Sequence, residues 1–173
     1  NECNPLSYFY NNSIGHAIGP YAMIAPFFDD LDDNGGRQPF NVYFWTNETD
    51  KVIVQWDNVA NAETDEFCPY DCVKETFQLI LDNSNATGID NGNIIFQYKE
   101  IHDIDNVEDH GATVGIEAPD KNSGTQYLFN YSYTYHHSSA LQNNLAIKFF
   151  NCAGPPENYD CLGNCLAVVD CLN

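Results

Sequence analysis

Short runs in which every second residue is large and apolar constrain the fold of this chain more than any other feature. Turn-forming segments rich in Asn, Asp and Gly separate these runs, such as residues 83–93 and 103–111. Three runs each place three apolar side chains on one face of an extended strand, and these nine residues are the predicted core: Val52, Val54, Trp56, Phe77, Leu79, Leu81, Ile94, Phe96 and Tyr98. The pattern predicts an all-β fold, an antiparallel β-sandwich rather than βαβ units.

Seven segments have the composition of strands, being short and rich in β-branched or aromatic residues. They are residues 41–46, 51–59, 75–81, 94–101, 113–117, 126–133 and 145–150. The rhythm stops at Asn151, where a Cys-rich tail begins. We therefore predict an N-terminal extended segment over 1–20, a β-sandwich domain over 21–150, and a Cys-rich tail or cap over 151–173. Because the chain begins with Asn1 and not Met, we expect a processed or excised piece.

Charge excludes two classes of partner. The chain has 6 Lys and Arg against 25 Asp and Glu, a formal net charge of −19. Nucleic acid and anionic membrane surfaces would both be repelled. A long apolar span is missing from the sequence, so direct membrane insertion is not expected either. A well-solvated surface, divalent-cation binding or a saline habitat each fit the acidity.

The cysteines predict an oxidising compartment. There are seven of them, and their spacing forms no zinc or haem pattern: Cys3, Cys68, Cys72, Cys152, Cys161, Cys165 and Cys171. In an acidic, strand-rich chain a disulfide framework is the better interpretation, which indicates an extracellular location. The odd number leaves one thiol free, or pairs it with another chain or with sequence beyond residue 173. The connectivity stays open.

An acidic loop after the first apolar run is a candidate calcium site. It supplies hard oxygen ligands from five residues: Asp29, Asp30, Asp32, Asp33 and Asn34. Calcium takes six to eight such oxygens, but the loop lacks EF-hand spacing. A solvated acidic turn is the alternative. A weaker candidate, for a transition metal, is His102 and His110 with the acidic residues between them.

The sequence contains no recognisable catalytic motif. A His-Ser pairing at His137, Ser138 and Ser139 lacks the G-x-S-x-G elbow and any assigned orienting acid. We therefore do not expect an enzyme. Trp45, Trp56 and the tyrosines could instead stack on sugar rings, the alternative being that Trp56 packs in the core.

Four N-x-[ST] sequences are candidate glycosylation sites if the source organism glycosylates asparagine. Their acceptors are Asn11, Asn47, Asn85 and Asn130. In so Asn-rich a chain, chance matches are the alternative.

Three motifs in fixed order resemble a known family. Residues 24–31 read IAPFFDDL, residues 52–59 read VIVQWDNV and residues 112–117 read ATVGIE. Together they resemble the NIDO-like (nidogen-type) β-domains of large secreted bacterial surface proteins, with Phe28 where that family usually has Trp. The resemblance implies a secreted, surface-displayed β-sandwich and says little about chemistry.

The tail is similar to a second surface-protein motif. Residues 160–165 read DCLGNC and residues 169–171 read VDC. This resembles one DCxGxC-type Cys-rich repeat and implies that the product continues past Asn173. A local disulfide-stapled cap is the alternative.

These observations predict an extracellular structural or adhesive module, a subunit of a surface fibre, layer or multidomain surface protein. Its partners would be copies of itself or neighbouring domains, engaged through sheet edges. The aromatic segment at residues 6–10 could pair with an edge in its own chain or in the next. The alternative function is a carbohydrate- or protein-binding module that uses loops at one end of the sandwich, with calcium as a possible cofactor.

Overall fold

The structure is a computed structural model that describes residues 12–16, 22–29, 31, 33, 38–61, 73–84, 92–102, 111–129, 132–133 and 140–149. This part of the chain contains nine strands and no helix. The strands are β1 (Ile24–Phe28), β2 (Asn41–Thr46), β3 (Lys51–Ala60), β4 (Lys74–Asp82), β5 (Asn93–Glu100), β6 (Thr113–Glu117), β7 (Gly124–Phe129), β8 (Ser132–Tyr133) and β9 (Leu145–Phe149).

Two antiparallel sheets pack face to face, as the alternating pattern predicts. One sheet has the strand order β1-β6-β7-β8 and the other has the order β2-β3-β4-β5-β9. All pairings are antiparallel. The all-β sandwich is therefore confirmed, whereas the Cys-rich tail lies outside the described residues.

Two strand predictions need correction. The single strand predicted over 126–133 is a hairpin, because the chain reverses between Phe129 and Ser132, which pair with each other. The seven predicted strands omit β1; its Pro26 is tolerated because β1 is an edge strand and lies next to a bulge.

The core lies between the two sheets. Cross-strand rows on the inner face of the five-stranded sheet align Trp56 with Phe77 and Tyr98, one residue per strand. The rings of Trp56 and Phe77 stack with centroids 4.9 Å apart. Eight of the nine predicted core residues belong to the cluster of buried hydrophobic residues between the sheets or pack against it, and the exception is Val52. Burying one such side chain stabilises the fold by roughly 1.5–3 kcal/mol.

Residues 12–16 lie across the outer side of β6 and β7. The backbone N–H of Ile14 donates to Gln126 Oε1 at 3.0 Å, and that of Gly15 donates to Glu117 Oε2 at 3.0 Å. Thr113 Oγ1 donates to the Asn12 carbonyl at 3.0 Å. Thr113 and Glu117 are consequently buried although they face away from the core. This stretch of the N-terminal segment is therefore bound to its own chain.

Candidate functional site

β2 is the outermost strand of the five-stranded sheet, and its apolar side chains are exposed. The exposed fractions are 45% for Val42, 55% for Tyr43, 69% for Phe44 and 51% for Trp45. Phe40, just before the strand, is 42% exposed. Single exposed apolar residues are common, but five within six positions form a contiguous patch, which is typical of an interaction surface.

The patch covers both faces of the strand. Val42 pairs with Trp56 and Phe44 with Val54, so both belong to the cross-strand rows that form the core further along the sheet. Their exposure means that none of the residues the structure describes covers the inner face of the sheet at β2. Tyr43 and Trp45 point to the opposite, outer face because side chains alternate along a strand. β2 can thus offer apolar contacts on two sides.

β2 also has a free hydrogen-bonding edge. It pairs with β3 over all six of its residues, and none of the other described strands pairs with its second edge. An unpaired edge is a template for another strand unless charges, prolines or bulges protect it. The six residues of β2 read NVYFWT, with no charge and no proline.

The turn after β2 fixes the register of that edge. Asn47 Oδ1 accepts the backbone N–H groups of Thr49, Asp50 and Lys51 at 3.2, 3.1 and 2.9 Å. Glu48 adopts a left-handed conformation with φ of 63°. This hydrogen bonding holds the β2–β3 hairpin in the register that places Tyr43 and Trp45 on the outer face of the sheet.

A groove lies on the outer face of the same sheet, with a volume of about 370 Å³. Three glutamines in directly paired positions form part of its lining: Gln55 on β3, Gln78 on β4 and Gln97 on β5. Gln78 Nε2 donates to Gln97 Oε1 at 2.5 Å. Lys99 and Asn144 are among the other polar residues of the lining. Sequence reasoning missed this site because the three glutamines meet only through strand register.

The predicted calcium loop is described only in part. The Asp29 carboxylate accepts a 2.9 Å hydrogen bond from the amide of buried Asn61, and the Asp33 carbonyl accepts the N–H of Gln38 at 2.8 Å. Asp30, Asp32 and Asn34 lie outside the described residues. Among the residues that are described, no group of three His, Cys, Asp or Glu could hold a metal. Calcium binding stays a prediction.

Most other predicted modification sites lie outside the described residues. These are all seven cysteines and the acceptors Asn11, Asn85 and Asn130. Asn47 is described and exposed, in the turn next to β2. Of the two tryptophans, Trp56 packs against the core, as the alternative interpretation holds, whereas Trp45 is half exposed.

A buried carboxylate beside a histidine is a further feature that sequence reasoning missed. Glu75 is completely buried, and its Oε2 accepts the backbone N–H of His102 at 2.7 Å. The His102 ring nitrogen Nδ1 lies 3.5 Å from the same oxygen. The available signal was the position of Glu75 two residues before Phe77, on the apolar face of the strand. The 2.7 Å bond to backbone gives Glu75 a structural role in fixing the chain after β5.

No family model, no curated protein and no solved structure matches this chain. The described residues include no helix that is long and apolar enough to span a membrane.

Proposed function

We propose that this protein is a non-catalytic structural or adhesive module of an extracellular surface, and that β2 is the edge through which it joins its neighbours. The observation that carries the proposal is an uncharged edge strand with 45–69% of Val42, Tyr43, Phe44 and Trp45 exposed. The seven cysteines and the resemblance to NIDO-like surface domains support the extracellular location.

The proposed mode of binding is strand addition. A strand from a neighbouring molecule would hydrogen-bond to the free edge of β2 and extend the five-stranded sheet. Its side chains would contact Val42 and Phe44 on one face, and Tyr43 and Trp45 on the other. Backbone hydrogen bonds would provide affinity, while the two apolar pairs would select for apolar residues in the incoming strand.

β2 carries no charged residue, although the chain as a whole is strongly acidic. A chain with a net charge of −19 repels its own copies at long range. A docking strand without carboxylates avoids adding to that repulsion at the point of contact. Association would therefore strengthen as salt screens the remaining charges.

Phe44→Lys tests the proposal, because a charge on an edge strand is a natural barrier to strand addition. Asn122→Lys is the matched control, since Asn122 is exposed in the turn between β6 and β7, in the other sheet. Analytical ultracentrifugation in 0.15 M salt and electron microscopy would measure assembly. We expect the wild-type protein and Asn122→Lys to associate and Phe44→Lys to stay monomeric. A wild-type protein that is monomeric up to about 1 mM would overturn the proposal.

A further inference from the structure

We propose that the groove on the outer face of the five-stranded sheet binds an acidic glycan, a chain of uronate-bearing sugars. This site does not include the hydrogen-bonding edge of β2, but it shares Tyr43 and Trp45 with the surface proposed for assembly. It lies on the sheet face over β3, β4 and β5, and its volume of about 370 Å³ falls within the range of small-ligand sites.

The charge of the groove is opposite to that of the protein. The chain has 25 acidic residues among its 173. None of them is among the described residues that line the groove. The lining contains one charged side chain, the exposed Lys99. A ligand carboxylate would find a cation here and no nearby lining carboxylate to repel it. This local cation favours a ligand that carries a carboxylate over a neutral one, against the long-range repulsion by the net charge of −19.

The amide row supplies partners for sugar hydroxyls. Gln55, Gln78 and Gln97 occupy successive strands, which lie about 4.8 Å apart. The hydrogen bond from Gln78 Nε2 to Gln97 Oε1 orients both amides, leaving the Gln97 nitrogen as a donor and the Gln78 oxygen as an acceptor for the ligand. A hydroxyl both donates and accepts, so a row of amides suits a polyhydroxylated chain better than it suits a peptide of acidic side chains.

An aromatic platform continues the row at the edge of the sheet. Tyr43 pairs with Gln55, so the row runs from an aromatic ring onto the amides. Tyr43 and Trp45 are 55% and 51% exposed on this face. Exposed rings offer an apolar surface on which the C–H face of a sugar can stack while its hydroxyls stay hydrated.

The far wall of the groove is held in place by backbone contacts. Asn144 adopts φ of 65°, and its N–H donates to the Tyr98 carbonyl at 2.8 Å. This contact ties the start of β9 to β5 beside Lys99. The groove is thus preformed by secondary structure, which limits the ordering cost of binding.

Isothermal titration with a hexamer of galacturonic acid tests the proposal, with its methyl ester as the uncharged counterpart. We expect saturable binding that weakens about tenfold for Lys99→Gln and for the ester, since each removes a charge-assisted contact. Gln97→Ala should weaken binding several-fold. Lys148→Gln is the matched control, because Lys148 lies on the same sheet face outside the groove lining. Its affinity should stay within about twofold of wild type.

Four results would overturn the inference: no saturable binding of the hexamer, equal affinity for the ester, equal weakening by Lys148→Gln, or equally tight binding of hexaglutamate. The last would assign the groove to an acidic polypeptide. Lys99→Gln should leave the sedimentation of the protein unchanged, so this test is independent of assembly through β2.

Discussion

The hydroxyl of Tyr98 donates a 2.6 Å hydrogen bond to the carbonyl oxygen of Pro26, across the core from one sheet to the other. Tyr98 belongs to β5 and Pro26 to β1, and both residues are buried. The bond gives a polar partner to a backbone carbonyl that lies inside the sandwich. It also fixes where edge strand β1 sits relative to the opposite sheet.

We expect Tyr98→Phe to lower the free energy of unfolding by about 1–3 kcal/mol, because the buried Pro26 carbonyl loses its donor while packing is conserved. Urea denaturation would measure the change. Tyr43→Phe is the control, since the exposed Tyr43 should change stability by less than about 0.5 kcal/mol. Equal stability of the two variants would show that the bond between the sheets contributes nothing.

Glu75→Gln should destabilise the fold by about 1–1.5 kcal/mol, because the backbone N–H of His102 then meets a neutral acceptor in place of a carboxylate. Chemical denaturation at pH 7 would measure this loss. Glu100→Gln provides the comparison, as Glu100 is exposed at the end of β5. If both variants unfold at the same denaturant concentration, the buried carboxylate has no structural role.

Gly115→Ala tests the docking of residues 12–16. A Cβ at Gly115 would lie 2.5 Å from the Thr125 carbonyl oxygen and 2.7 Å from Ile14 Cγ1. We expect a loss of about 1–3 kcal/mol from this overpacking. Ile14→Ala should relieve part of it, so the double variant should lose less than the sum of the two single variants. Strict additivity would mean that Ile14 does not pack on Gly115.

Acid should remove a contribution from Asp82. The side chain and backbone N–H of Ser84 hydrogen-bond its carboxylate, and Lys51 Nζ lies 3.1 Å away, which together lower the pKa of Asp82 from 3.8 to about 2. Because the folded-state pKa is the lower one, this stability is present above pH 3.8 and is lost as the pH falls towards 2.

Asp82→Asn should therefore have a shallower dependence of stability on pH between about 4 and 2 than the wild-type protein. Thermal unfolding at half-unit pH steps would give both slopes. Asn83→Ala, at an exposed neighbouring position without a carboxylate, is the control and should retain the wild-type slope. A wild-type slope in Asp82→Asn would contradict the assignment.

Most of the strands could be predicted from the alternation of apolar and polar residues. Six of the seven predicted strands match the observed strands within one residue at each end. β1 is missing from the predicted strands. The single strand predicted over residues 126–133 is a hairpin of two strands. The core rows followed from sequence because a buried sheet face leaves its period in the chain.

The candidate sites could not be predicted from the alternation of residues. Val42 and Phe44 have the pattern of a buried strand, but the alternation within their own strand does not show what covers it, and both are exposed. Gln55, Gln78 and Gln97 lie about twenty residues apart and meet through register alone. The predicted disulfides and three of the five calcium ligands fall outside the described residues.

In the described part of the chain one sheet has five strands and the other has four, and the inner face of β2 is left exposed. Val42 and Phe44 lie on that exposed face, in line with Trp56 and Val54 of the next strand. A neighbour seated there would continue the hydrophobic core across the molecular boundary. Association would then bury apolar surface of the same core that stabilises the folded module. The melting temperature of the module would therefore rise with protein concentration.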